Sequence, residues 1–193
     1  METKSEIRKI ILRARETLTA NEIESKSKTI AQKVILTPEY EEADNILLYA
    51  DYCHEVMTRQ IFEDALMRKK RVYFPKSDGL TGNMDFYQTV SVKLLTKGYK
   101  GILEPVEDPD RLYKFNKHED TLIIVPGVAF DTFGYRIGYG KGFYDKFLAK
   151  RRQISTIALA FACQIVDEIP KDIHDIKMDK IITEEIIYSF LRV

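Results

Sequence analysis

TLIIVPGVAFDTFGYRIGYGKGFYDKFL, residues 121–148, joins two kinds of sequence in one run. TLIIVP, Thr121 to Pro126, forms an unbroken apolar and β-branched stretch closed by its proline. That is the pattern of a strand buried on both faces of a parallel sheet, not of one alternating between core and water. The second half sets Gly134, Gly138, Gly140 and Gly142, four of the chain's nine glycines, among cations and aromatics. It then passes into a helical spacing of Phe143, Tyr144, Phe147 and Leu148. In open α/β sheets ligands bind beyond the carboxyl ends of the strands. A bare backbone that follows such a strand after a short connection therefore sits at the edge where a ligand would be received.

The rest of the chain supplies the sheet and its cover. Residues 3–18 read as a helix with Ile7, Ile10, Ile11, Ala14 and Leu18 on one face and Lys4, Arg8 and Arg15 on the other. A second helix is expected from the capping pattern Asn21 to Glu24, with Ile23, Ile30 and Val34 inward and a stop at Pro38. Thr58 can cap a helix running to about Lys69, with Met57 and Phe62 as a hydrophobic staple, and a further helix is expected over about 142–152. NILLYA (45–50), RVYFP (71–75), MDFYQ (84–88), TIALAFA (156–162) and DKIIT (179–183) are strand candidates. EPVEDPD (104–110), with two prolines, reads as a surface excursion. Helices alternate with apolar strands, without repeats or a low-complexity linker. This predicts one α/β domain over 1–193 in three layers, a mostly parallel sheet covered by helices on both faces.

Thirty Lys plus Arg balance thirty Asp plus Glu, so no global field favours nucleic acid or an anionic membrane, and any taste for anions must be local. Cys53 and Cys163, the only cysteines, are too few for a metal set or a disulfide framework and read as reduced core residues. METKSEIRKI carries charges where a signal peptide needs an apolar run, and no stretch approaches the roughly 18 apolar residues of a membrane span. The expectation is a cytoplasmic protein with neither nucleic acid nor membrane as a partner.

The glycine cluster admits two readings, a tight structural loop or a phosphate cradle. Glycine permits positive φ and close backbone approach, and exposed N–H groups beside a helix start make an anion-binding concavity. The stretch is neither a P-loop, since Lys141 is followed by Gly142, nor GxGxxG, since its spacing is GxGxG. Residues 135–152 add six cations, Arg136, Lys141, Lys146, Lys150, Arg151 and Arg152, against the single acid Asp145. That excess favours an anion site, although part of it must be a solvated helix face.

The run PGVAFDTFGYRIGYGKGFYDKFL resembles the signature of the 5-formyltetrahydrofolate cyclo-ligase family, PG(L/V)AFD followed after a few residues by G-x-R-(L/I)-G-x-G-x-G-(Y/F)-Y-D. The Lys4 to Arg8 pair, the HEVMT segment around Glu55 and MDKIITE (178–184) match in order, so the resemblance covers nearly the whole chain. It implies a fold similar to the sugar-phosphate isomerase and deaminase group. It also implies a monomer that uses ATP and Mg²⁺ to convert 5-formyltetrahydrofolate to 5,10-methenyltetrahydrofolate. By the same resemblance Lys4, Arg8, Arg136 and the run Gly138, Tyr139, Gly140, Lys141, Gly142, Phe143 and Tyr144 contact ATP. Lys141 and Arg136 act on the phosphoryl group; Glu55, Tyr139 and Phe143 contact the folate; Asp145 and Asp179 hold the metal, directly or through water. Without the resemblance, Asp145 reads as a helix-dipole carboxylate, Asp179 as a turn residue at a strand start, and Lys4 and Arg8 as solvated cations. His54 is given no catalytic role. A sugar-phosphate isomerase, needing an acid–base pair but no ATP, and a folate- or nucleotide-binding protein without turnover are the rival readings.

Overall fold

The structure is a computed structural model that describes residues 2–191. Helices α1 (Lys4–Glu16) and α2 (Ala20–Ile35) open on Thr3 and Thr19, and Glu6 and Glu22 reach back to complete capping boxes. The cap expected at Asn21 thus falls two residues earlier, because the Thr19 hydroxyl and Glu22 already satisfy both ends of the box. Pro38 does more than stop a helix. It is the first residue of α3 (Pro38–Glu42), where a missing N–H costs nothing. After β1 (Asn45–Leu47), α4 (Arg59–Met67) follows Thr58, whose hydroxyl does not cap it but donates to the Tyr49 carbonyl at 2.8 Å.

Then come β2 (Arg71–Ser77), β3 (Met84–Gln88), and a short two-stranded flap of β4 (Thr96–Lys97) and β5 (Leu103–Glu104). β6 (Thr121–Val125) leads to the hairpin β7 (Ala129–Asp131) and β8 (Arg136–Ile137), and α5 (Phe143–Ala149) begins at Gly142. The chain ends with β9 (Ser155–Leu159), β10 (Ile165–Val166), β11 (Lys180–Ile182) and β12 (Ile187–Ser189). The main sheet has the order β12-β11-β9-β6-β1-β2-β3, parallel throughout except at the two edge strands, β3 and β12. β7, β8 and β10 form a second, small sheet.

Alternate residues of each central strand feed two cores. Ile46, Leu122, Ile124 and Ile157 pack with α2, α3 and α4, whereas Leu47, Ile123, Val125 and Ala158 pack with Phe147 and Leu148 of α5. With both faces covered, β6 is buried at all five positions, which is why its sequence is continuous rather than alternating. A third cluster docks Ile7 and Ile11 of α1 on Val128, Ala129 and Ile137, so the first helix leans on the hairpin that carries the glycine loop.

Two expectations are corrected. Arg15 does not join the solvent face of α1 but is 1% exposed, because it continues the Ile7–Ile11 stripe at four-residue spacing. Cys53 and Cys163 are free thiols as expected, yet both are exposed rather than core.

Candidate active site

Beyond the carboxyl ends of β1, β2 and β6 lies a cavity of about 390 Å³. Tyr49 and Ala50, Pro75 and Ser77, and Pro126 and Gly127 form its floor, where those strands end. The glycine loop, Gly138 to Gly142, closes one side with Lys4 and Arg8 of α1, and the flap residues Tyr99, Lys100 and Glu104 close another.

The loop owes its position to the hairpin beneath it. Asp131, fully buried, accepts from the N–H groups of Phe133 at 3.0 Å, Tyr135 at 2.8 Å and Ile169 at 3.1 Å, which fixes the turn from β7 to β8. Past β8, Gly140 holds φ +98° and Gly142 φ +66°, backbone that a side chain would strain. A Cβ at Gly138 would come within 3.2 Å of the Arg136 guanidinium, so the loop lies directly on that cation. Arg8 ties it from the other side, donating from Nε to the Gly138 carbonyl at 2.9 Å.

Arg136 is the electrostatic centre of this end. Its side chain is 4% exposed and donates from Nη2 to Asp145 Oδ1 at 3.0 Å, and its guanidinium lies 5.6 Å from the Tyr144 ring centroid. Its Nε is buried and, among the described residues, has no hydrogen-bond partner. A buried cationic N–H without an acceptor is costly, and an anion entering the cavity would supply one. Lys4 also faces the cavity, paired with Asp175 at 2.5 Å. Lys141 is exposed at the rim.

At the other end Glu55 sits in the turn after β1. It is 8% exposed, and its Oε2 accepts from the Tyr52 N–H at 3.0 Å. Burial pushes its carboxyl up to about 7, against the opposing pull of Arg15, the Tyr52 N–H and the Tyr139 hydroxyl. Burial also raises the Tyr139 phenol, to about 12, and the Tyr144 phenol still higher, with the Glu55 charge adding to both. Phe143 meets Tyr99 of the flap edge-on at 6.2 Å between ring centroids.

Most of the expected site residues therefore converge: Lys4, Arg8, Glu55, Arg136, Asp145 and the run 138–144 all line one cavity. Asp179 does not join them. Its Oδ2 accepts from the Thr156 N–H at 2.7 Å and hydroxyl at 2.9 Å, at the amino-terminal starts of β9 and β11, whereas the cavity lies at the carboxyl ends of the parallel strands. The expected metal pair of Asp145 and Asp179 is thus not assembled, and among the described residues no cluster of three or more His, Cys, Asp or Glu could hold a metal ion. Three residues that the sequence reading did not assign to the site belong here: Asp175 and Tyr99 on the walls, and Arg15 behind them. No pattern marked Asp175 or Tyr99. Arg15 was readable from its place on the apolar stripe of α1. Among the described residues, no helix is long and apolar enough to cross a membrane.

Comparison with known proteins bears on this arrangement. The model of the 5-formyltetrahydrofolate cyclo-ligase family matches residues 1–184. A 5-formyltetrahydrofolate cyclo-ligase from Mus musculus is 33% identical over 176 residues, covering 87% of each chain. A probable 5-formyltetrahydrofolate cyclo-ligase from Schizosaccharomyces pombe is 32% identical over 196 residues, covering 94% of this chain and 95% of its own. Among solved structures, the 5,10-methenyltetrahydrofolate synthetase of Aquifex aeolicus superposes with a TM-score of 0.81 at 33% identity, over 96% of this chain and 92% of that one. The synthetase of Mycoplasma pneumoniae gives 0.72 at 27% identity, over 95% and 99%.

Proposed function

Because this chain belongs to the 5-formyltetrahydrofolate cyclo-ligase family, a family of ligases, we propose that it closes the ring of 5-formyltetrahydrofolate with MgATP, yielding 5,10-methenyltetrahydrofolate, ADP and phosphate. The observation that carries the proposal is the single cavity shared by Glu55 and the Arg136-backed glycine loop. A folate head group and a triphosphate bound at those two ends would meet inside it.

The chemical difficulty is the formyl group, a poor electrophile whose oxygen is a poor leaving group. Transfer of the γ-phosphoryl to that oxygen removes both obstacles: N10 attacks the activated carbon, and phosphate departs. A protein serving this chemistry has to position the reactants and neutralise phosphate charge, and needs no nucleophilic side chain. Gly138, Gly140 and Gly142 bring backbone close to the phosphates; Lys4, Arg8 and Arg136 supply charge, Arg136 through its unpartnered Nε. Lys141, at the rim, stabilises charge developing on the transferring group. Glu55 accepts from pterin N–H donors, with Tyr139 and Phe143 against the ring system, and Phe143 and Tyr144 continue the loop into α5. Mg²⁺ usually takes one or two protein carboxylates and completes its shell with water and phosphate oxygens. The cavity fits that mode, with Asp145 as the residue to hold it. When bound, the ion would supply charge neutralisation across the phosphates.

The likeness of this layered sheet to sugar-phosphate isomerases and deaminases is part of the same reading, supported by the parallel strand order. So are a monomeric state and a cytoplasmic location. Two exposed free thiols suit a reducing compartment.

The test is the absorbance of methenyl product from 5-formyltetrahydrofolate, with and without MgATP and after chelation. Product only with both ATP and a divalent cation is expected. Binding of either ligand without turnover would replace the enzyme by a binding protein.

A further inference from the structure

Arg15 is a buried cation that, among the described residues, pairs with no carboxylate. Its Nη2 donates to the Tyr139 hydroxyl at 2.6 Å and to the Cys53 carbonyl at 2.7 Å, and its Nη1 to the Gly127 carbonyl at 3.4 Å, all neutral acceptors. One guanidinium thereby holds the end of β6, the glycine loop and the turn that carries Glu55. That turn needs holding: Cys53 and His54 stand in the left-handed region, at φ 46° and 59°, which residues with a Cβ adopt only at a cost. We propose that Arg15 is a positioning residue of the candidate site, acting through Tyr139 and the Cys53 carbonyl to favour the charged form of Glu55 and to keep its turn in register with the glycine loop. An ionised carboxyl offers both oxygens as acceptors, whereas the acid turns one of them into an O–H donor, so this decides whether Glu55 can face a pair of N–H donors such as those of the pterin of the proposed function, on which the assignment of that ligand rests.

The groups that face Glu55 are few. They are Arg15 from α1, Asp51 and the Tyr52 N–H from its own loop, Tyr49 past the end of β1, Tyr139 from the glycine loop and Tyr144 from α5. Of the side chains, Asp51 disfavours the charged carboxylate, whereas Arg15 and the Tyr139 hydroxyl favour it. Arg15 is the only cation in the set.

The deciding measurement needs no ligand: titration of the Glu55 side-chain carboxyl carbon by NMR in glutamate-labelled protein, assigned with Glu55→Gln. In Arg15→Met the midpoint should rise by about one pH unit or more. In Arg15→Lys, which keeps a cation, it should stay close to the parent's. Tyr139→Phe, which removes one hydroxyl near the surface, should raise it by a smaller amount. Half-saturation by 5-formyltetrahydrofolate should then worsen at neutral pH in Arg15→Met and recover as pH is raised past the new midpoint. An unmoved midpoint in a folded Arg15→Met, or an equal rise in Arg15→Lys, overturns the proposal. If Arg15→Met does not fold, Tyr139→Phe decides alone, and an unmoved midpoint there overturns it. Failure of the parent protein to bind folate would sink the proposed function and leave the titration standing, so the two can fail separately.

Discussion

Arg8 and Gly138 are joined across 130 residues of sequence by one hydrogen bond, from the Arg8 Nε to the Gly138 carbonyl at 2.9 Å. The first helix is in this way a structural part of the glycine loop. Arg8→Met should leave the melting temperature within a few degrees and weaken ATP about 10- to 150-fold, the loss of one charge-assisted hydrogen bond. Calorimetric titration with ATP measures it, and unchanged affinity would detach α1 from phosphate binding.

Gly140 and Lys141 separate backbone from charge. Gly140→Val places a β-branched side chain at φ +98°, so ATP binding should be lost before the fold is. Lys141→Met keeps the chain length and removes the cation, and turnover should fall by about 10² to 10³ with folate binding nearly unchanged. Parental turnover in Lys141→Met would leave the lysine a bystander, and full activity in both variants would reduce the glycines to turn formers.

Asp145 Oδ1 accepts from the Arg136 guanidinium at 3.0 Å and from the Ile176 N–H at 3.3 Å, and it is also the proposed metal carboxylate. Asp145→Asn should raise the magnesium concentration needed for half-maximal turnover. It should also cost about 1–3 kcal/mol of stability, less than a fully buried pair would lose, since the Asp145 side chain retains 21% exposure. A magnesium dependence identical to the parent's would show that Asp145 serves only its protein partners, Arg136 and the Ile176 N–H.

Glu55 gives stability a pH dependence of known sign. Its carboxyl stands at about 7 in the fold against an ordinary 4.5, so between those values the folded protein holds a proton that the unfolded chain has released. Its contribution is full below about 4.5 and is lost as pH rises through about 7. Glu55→Gln should be the more stable at neutral pH, and its urea midpoint should change less than the parent's between about pH 5 and about pH 7.5. Parallel pH profiles for the two proteins would remove the buried charge from the account. On the proposed function, folate binding should run the other way, strengthening in the parent as Glu55 ionises.

Where the sequence was legible, a single physical cause dominated. β6 and β3 are readable because one is wholly enclosed and the other follows the turn-rich run SDGLTGN; β3 spans 84–88 as expected, and β6 stops at Val125, one residue short of the expected Pro126. The glycine loop and Arg136 are expected from the family signature and Glu55 from the separate HEVMT segment, and all of them line one cavity. Arg15 is where charge is a poor guide to solvent, because its four-residue step from Ile11 sets it on the buried stripe of α1. Asp179 was misassigned because a strand start gives no hint of which sheet edge it occupies until strand directions are known. Asp175 and Tyr99 reach the cavity through tertiary folding alone, with no local pattern to announce them.

The strand order has a kinetic consequence. Asn45 pairs with Arg71 on one side and Thr121 on the other, and the cavity above those strands takes walls from Lys4 through to Asp175. The walls of this cavity are drawn from nearly the whole length of the polypeptide, so during synthesis its lining is complete only once Asp175 has emerged. Pairings so distant along the chain make folding slow compared with helical bundles of the same size, and contacts to a bound ligand form only after that barrier. Substrate present during refolding should therefore leave the refolding rate unchanged and slow unfolding instead, so that the enzyme, once assembled, is held together longest while it is at work.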